Sequence, residues 1–193
     1  LSDAYHGHAY FNSVYNIYQG MPYTHNVTSI YGHYGLFFKI PMKLVHGDFK
    51  AFVAMVAGIG AFAHICAFLI LELLVKSRVL RIIGALAVTF PVLGMRGGFY
   101  WQVWPHRVIF PMLLFLYGAW ILKKELCNFW TAVGGYLICL LAILWNTETG
   151  LILTVAWAGM LISRFLSVGK IKLRRLLWLS FAQFAGMAGA VFG

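Results

Sequence analysis

The chain of 193 residues is 62% hydrophobic and only 10% charged, with a mean hydropathy of +0.81, where an average soluble domain carries about 25% charged residues. One soluble core has no room for that much apolar surface, so the composition points to lipid as a second solvent. The net charge of +10 falls in short clusters beside apolar runs, which is the pattern of topology signals and headgroup contacts and excludes nucleic acid as the expected partner.

Residues 1–50 are polar, aromatic and His-rich, with no apolar run of the ~20 residues that a helix needs to cross a bilayer. Residues 3–19 read as an amphipathic helix, with His8, Asn12, Asn16 and Gln19 on one face and Phe11, Val14 and Tyr18 on the other. Gly20-Met21-Pro22 ends it. A second helix is expected over 34–46. It carries a basic stripe of Lys39, Lys43 and His46, an apolar side of Leu36, Phe37, Ile40 and Leu44, and a kink at Pro41. Both helices suit a membrane surface rather than its interior.

Apolar runs follow at 51–75, 80–95, 108–122, 127–145, 151–167 and 176–193. The turns between them alternate in charge. Lys76, Arg78, Arg81, Lys123, Lys124, Arg164, Lys170, Lys172, Arg174 and Arg175 all fall in alternate loops, which places those loops on the cytoplasmic side. Residues 1–50, 95–107 and 146–150 then share the other side, together with every histidine but His64, which lies in mid-span. His64 reads first as a core histidine bonded to a neighbouring helix, and second as a proton relay. The expected fold class is all-α: a polytopic transmembrane helical bundle (51–193), with two interfacial amphipathic helices in the first extracytoplasmic loop (1–50). The lack of an initiator Met and the apolar final residues read as the cut ends of a longer protein.

The first loop contains the run Asp3-Ala4-Tyr5-His6, then Gly20-Met21-Pro22-Tyr23, then Tyr31-Gly32-His33-Tyr34-Gly35-Leu36, with Gly47 just before the first complete span. An acid, an amphipathic helix, a Gly-x-Pro turn, a Gly-Leu segment, a short helix and a Gly in this order resemble the GT-C superfamily of membrane glycosyltransferases, mainly over residues 3–60. Two features differ. Asp3 stands without the second acid that many members place beside it, and His33-Tyr34 occupies a place where Pro is common. The resemblance implies an integral membrane enzyme of a bacterial plasma membrane or of the endoplasmic reticulum. Such an enzyme moves a sugar from a polyprenyl-phosphate donor to a glycan, lipid or protein acceptor on the extracytoplasmic side.

That chemistry needs a base for the acceptor hydroxyl and cations for the departing lipid phosphate. Asp3 is the candidate base, although Asp at a helix start is also a preferred cap. Arg96, His106 and Arg107 are candidate phosphate-binding residues, since Arg matches phosphate oxygens bidentately; anchoring beside Trp101 and Trp104 is the plainer reading. Glu148 either orients an acceptor, alone or through a divalent cation shared with Asp3, or caps the fifth span. His6, Tyr31 and His33 join the substrate-binding set through the resemblance. The spacing of His6, His8, His25 and His33 fits no tight metal site, so no metal ligands are assigned. Cys66, Cys127 and Cys139 read as small buried hydrophobes, and Asn26-Val27-Thr28 is a glycosylation sequon. Two other classes compete: a transporter or flippase for a lipid-linked or anionic solute, and a non-catalytic membrane subunit.

Overall fold

The computed structural model describes residues 2–22, 32–94, 105–126 and 128–168, with positions 174, 177, 178, 180–182 and 185; side chains are described for all of these except residues 2–9, 90–94, 165, 166 and 168. Every regular element among the described residues is helical. In chain order they are α1 (Ser2–Tyr18), α2 (Tyr34–Phe37), α3 (Lys39–Leu44), α4 (Phe49–Leu74), α5 (Arg78–Gly94), α6 (Ile109–Lys123), α7 (Phe129–Trp145) and α8 (Thr147–Val168).

The local chemistry explains most of the boundaries. Asp48 caps α4, its carboxylate accepting from the Ala51 amide at 2.9 Å. Asn128 caps α7 through a reciprocal capping box with Thr131. A single residue, Asn146, separates α7 from α8. Its side-chain oxygen accepts from the Thr149 amide at 2.9 Å, so the stretch 147–150, expected as a loop, is instead the first turn of α8. The helix expected over 34–46 is split at Phe38, three residues before Pro41. A proline has no amide proton for the carbonyl four residues earlier and crowds that carbonyl with its ring. Here that carbonyl belongs to Phe37, the last residue of α2.

Helix α4 packs on α5 and α6, α6 also packs on α7 and α8, and α7 and α8 pack on each other. One core lies between α6, α7 and α8, built from Leu114, Ile121, Tyr136, Cys139, Leu153, Trp157 and Leu161. Trp157 is its largest member, and its indole nitrogen donates to the Ala132 carbonyl at 3.2 Å. Gly135 makes this possible, because a Cβ at that position would overlap the indole ring. A second core, at one end of the bundle, joins Tyr10 and Val14 of α1, Tyr34, Phe38 and Met42 of α2–α3, Phe52 and Ala63 of α4, Ile109 and Trp145. It fastens α1–α3 over the starts of α4 and α6. Cys66 and Cys139 are free and buried, while Cys127 lies outside the described residues. Of the expected span 176–193, positions 177, 178, 180–182 and 185 are helical, and the Ser180 hydroxyl meets the Tyr136 hydroxyl at 2.6 Å.

Among the described residues one helix, Phe49–Leu74, is long and apolar enough to cross a membrane; Ile109–Lys123 and Phe129–Trp145 are apolar but shorter. Large apolar side chains stand exposed along α4 (Phe62, Ile65, Leu69), α5 (Val79, Ile83, Leu86), α7 (Leu137, Leu141) and α8 (Ile152, Val155). His64 donates from Nδ1 to the Gly60 carbonyl one turn back on α4, at 2.9 Å.

Candidate functional site

The residues that converge lie at the end of the bundle where α4, α6 and α8 begin and α7 stops. Pro105 opens a turn whose carbonyl accepts from the Val108 and Ile109 amides, which starts α6 and fixes the two residues between. His106 turns inward and is only 5% exposed. Its ring stands edge-on to Tyr10 and Tyr34, with centroids at 5.0 and 4.8 Å, and lies 5.5 Å from the Trp145 ring. Trp145 also donates from its indole nitrogen to the His106 carbonyl at 2.8 Å. The carbonyl of a loop residue is thereby tied to the last residue of α7.

Behind His106 sits a knot of hydroxyls. Ser13 meets the Tyr34 hydroxyl at 2.7 Å, and Tyr34 in turn donates to the Tyr10 carbonyl at 3.1 Å. All three residues are buried, so these bonds offset the cost of placing hydroxyls away from water. Arg107 turns the other way. Its Nη2 donates to Glu148 Oε2 at 2.9 Å, joining the start of α6 to the first turn of α8. The two side chains are 39% and 70% exposed, so the pair is screened and contributes at most about 1 kcal/mol to stability. Asn146, one residue past Trp145, is buried, and its side-chain Nδ2 has no hydrogen-bond partner among the described residues.

His33 reaches the same end from the opposite direction. Its amide donates to the Leu144 carbonyl at 2.8 Å. Gly32 precedes it with φ +126°, and a Cβ there would lie 2.7 Å from the Trp145 carbonyl. Only glycine fits both the conformation and the approach.

The structure thus brings His33, His106, Arg107 and Glu148 to one end of the bundle. Tyr31 and Arg96 lie outside the described residues, as do the side chains of Asp3 and His6. The backbone of α1 still places the last two in register. The buried face of α1 is Tyr10, Ser13, Val14 and Ile17. Asp3 and His6 precede Tyr10 by seven and four positions, which keeps them on that same face at 3.6 residues per turn. The expected apolar face of Phe11, Val14 and Tyr18 is therefore turned slightly: Val14 is buried, while Phe11 and Tyr18 lie at its margin. Among the described residues no three His, Cys, Asp or Glu side chains converge as a metal site.

Sequence reasoning missed Tyr10, Ser13, Tyr34 and Trp145 as site-forming residues. For Tyr10 and Ser13 a signal existed, since both lie on the helical face of Asp3 and His6. Trp145 ends an apolar run and carries no local sign that its indole binds a loop forty residues earlier. No family model matches this chain, and no curated protein or solved structure matches it.

Proposed function

We propose that the protein is a polytopic membrane glycosyltransferase of the GT-C type, transferring a sugar from a polyprenyl-phosphate carrier on the extracytoplasmic side. One observation carries this reading: the face of α1 that holds Asp3 and His6 in register packs, through Tyr10, on His106, the neighbour of an Arg107 paired with Glu148. A guanidinium and a carboxylate thus meet at one end of a bundle whose flanks are apolar, and α1, the helix whose sequence carries Asp3, packs there through Tyr10. The exposed apolar rows on α4, α5, α7 and α8 support a bilayer around the bundle. At 1.5 Å per residue, the 26 residues of α4 reach about 39 Å, enough to cross it. Helices α2 and α3 expose Leu36, Ile40 and Leu44 beside Lys39 and Lys43, which suits an element lying at the lipid–water boundary.

In this reading the acceptor hydroxyl attacks the anomeric carbon of the donor. The bond from that carbon to the carrier phosphate breaks, and its electron pair leaves with the phosphate. Asp3 takes the hydroxyl proton. Arg107 stabilises the charge that grows on the phosphate, and Glu148 orients its guanidinium. Arg96 and His106 are the further phosphate-binding candidates, and His6, Tyr31 and His33 the further substrate-binding ones. The donor is a polyprenyl-phosphate sugar, the acceptor a glycan, lipid or protein.

The test uses membranes carrying the full-length protein and a panel of polyprenyl-phosphate sugars with a radiolabelled hexose. Asp3→Asn is expected to abolish transfer while the protein still inserts and accumulates normally. Full transfer by that variant removes Asp3 as the base. Labelled carrier that crosses the bilayer with its sugar still attached would assign the protein to the transporters instead.

A further inference from the structure

The opposite end of the bundle is built differently. Helix α4 stops at Leu74 and α5 starts at Arg78, so the turn brings Arg78 and Arg81 to the carboxylate of Glu72, which pairs with Arg81, while Lys76 lies in the turn itself. A cavity of about 320 Å³ opens between the two helices. Glu72, Arg78 and Arg81 line its charged side, and Phe68, Leu71, Ile82 and Ala85 its apolar side. Leu71 is also a wall of a second cavity of about 520 Å³, lined by apolar residues of α4, α5, α6 and α8 that include Leu74, Val88, Phe115 and Met160. Arg78, Arg81, Ile82, Ala85 and Val88 recur at helical spacing, so one stripe of α5 runs from charged to apolar past both spaces. Each volume lies in the range of ligand sites.

We propose that these two cavities, which share Leu71 as a wall, hold one anionic phospholipid, with its phosphate at Arg78 and Arg81 and an acyl chain passing Leu71 into the apolar space. Charge complementarity selects this occupant: two guanidinium groups face one carboxylate in the cavity, which leaves a net positive charge, and the Arg fork suits phosphate oxygens. The charge falls off along α5 in the order that a headgroup and a chain require. The site needs only that the bundle lies in a bilayer. It is independent of the transfer chemistry, which belongs to the other end.

The full-length protein is reconstituted in nanodiscs of phosphatidylcholine with a minority of phosphatidylglycerol, and native mass spectrometry reads the retained lipid. Phosphatidylglycerol is expected to be retained well above its share of the bilayer. Arg78→Gln with Arg81→Gln should lower that preference about thirtyfold, the loss of two basic contacts. Ala85→Phe, which fills the cavity and leaves every charge in place, should lower it too. Lys123→Gln with Lys124→Gln, on the α6 end, should leave it unchanged. Equal retention of the two lipids, or a preference that survives both the paired Gln variant and Ala85→Phe, overturns the proposal. So does an equal loss in the Lys123/Lys124 variant, which would mean attraction to charge in general. Displacement of phosphatidylglycerol by inorganic phosphate alone would reassign the site to a soluble anion.

Discussion

Arg107 and its partner show how a contact of small energetic worth can matter through orientation. The Arg107–Glu148 pair is too exposed to hold the fold, and the helix ends it joins are already tied by the Trp145 indole and the His106 carbonyl. Its remaining effect is to aim a guanidinium fork. Glu148→Gln is therefore expected to change stability by less than about 1 kcal/mol, read by thermal unfolding. If the protein is the proposed transferase, transfer should fall about tenfold, because a cation without its orienting acceptor spends less time in register with the leaving phosphate. An unchanged initial rate would reduce the pair to an anchor. Trp145 and Asn146 illustrate a different case. They are adjacent and buried, one bonding a loop and the other capping the next helix; the cap is a local signal that Asn itself supplies, whereas the indole's partner is visible in no local pattern.

Among the elements, those set by local chemistry were legible in the sequence. The helices expected over 51–75, 108–122 and 127–145 correspond to α4, α6 and α7 within two residues at each end, because apolar runs, caps and basic turns act over neighbouring positions. Asn128 is a clear instance. Asn128→Ala removes the side-chain half of the box and leaves the backbone amide of residue 128 on the Thr131 hydroxyl, and a loss of about 1 kcal/mol is expected in thermal or denaturant unfolding. No loss would mean that α7 is held by packing alone. Where longer reach decides, the sequence was less informative. The break at Phe38 comes from Pro41 acting on a carbonyl four residues back, which displaces the interruption from the proline itself. The turn expected at 146–150 became helix because Asn146 satisfies the free amide at Thr149 and needs no further loop. On α1 the period was readable, but the choice of face was not. Tyr10 turns inward because Tyr34 and His106 supply an aromatic wall for it.

For the molecule as a whole, charge alternation in the turns sorts residues by the end of the bundle at which they lie. Residues assigned to one side by counting Lys and Arg, His33, His106, Arg107 and Glu148, meet at one end of the bundle. The turn with Lys76, Arg78 and Arg81 lies at the other. What counting could not supply is which of those residues touch. In sealed cells a cysteine placed at position 148 is expected to react with an impermeant maleimide added from outside, and one placed at 124 is not. The opposite labelling would invert the orientation and put the Arg107 end in the cytoplasm.

The one-residue corner at Asn146 has a consequence for how this chain tolerates change in length. An added residue there would lengthen an extended link by up to about 3.3 Å, carrying Glu148 off Arg107 while Trp145, on the near side, kept its grip on His106. Longer hinges elsewhere absorb such slippage. This one transmits it at once, so the two fastenings on either side of the corner act as an indexing stop that keeps α7 and α8 in phase.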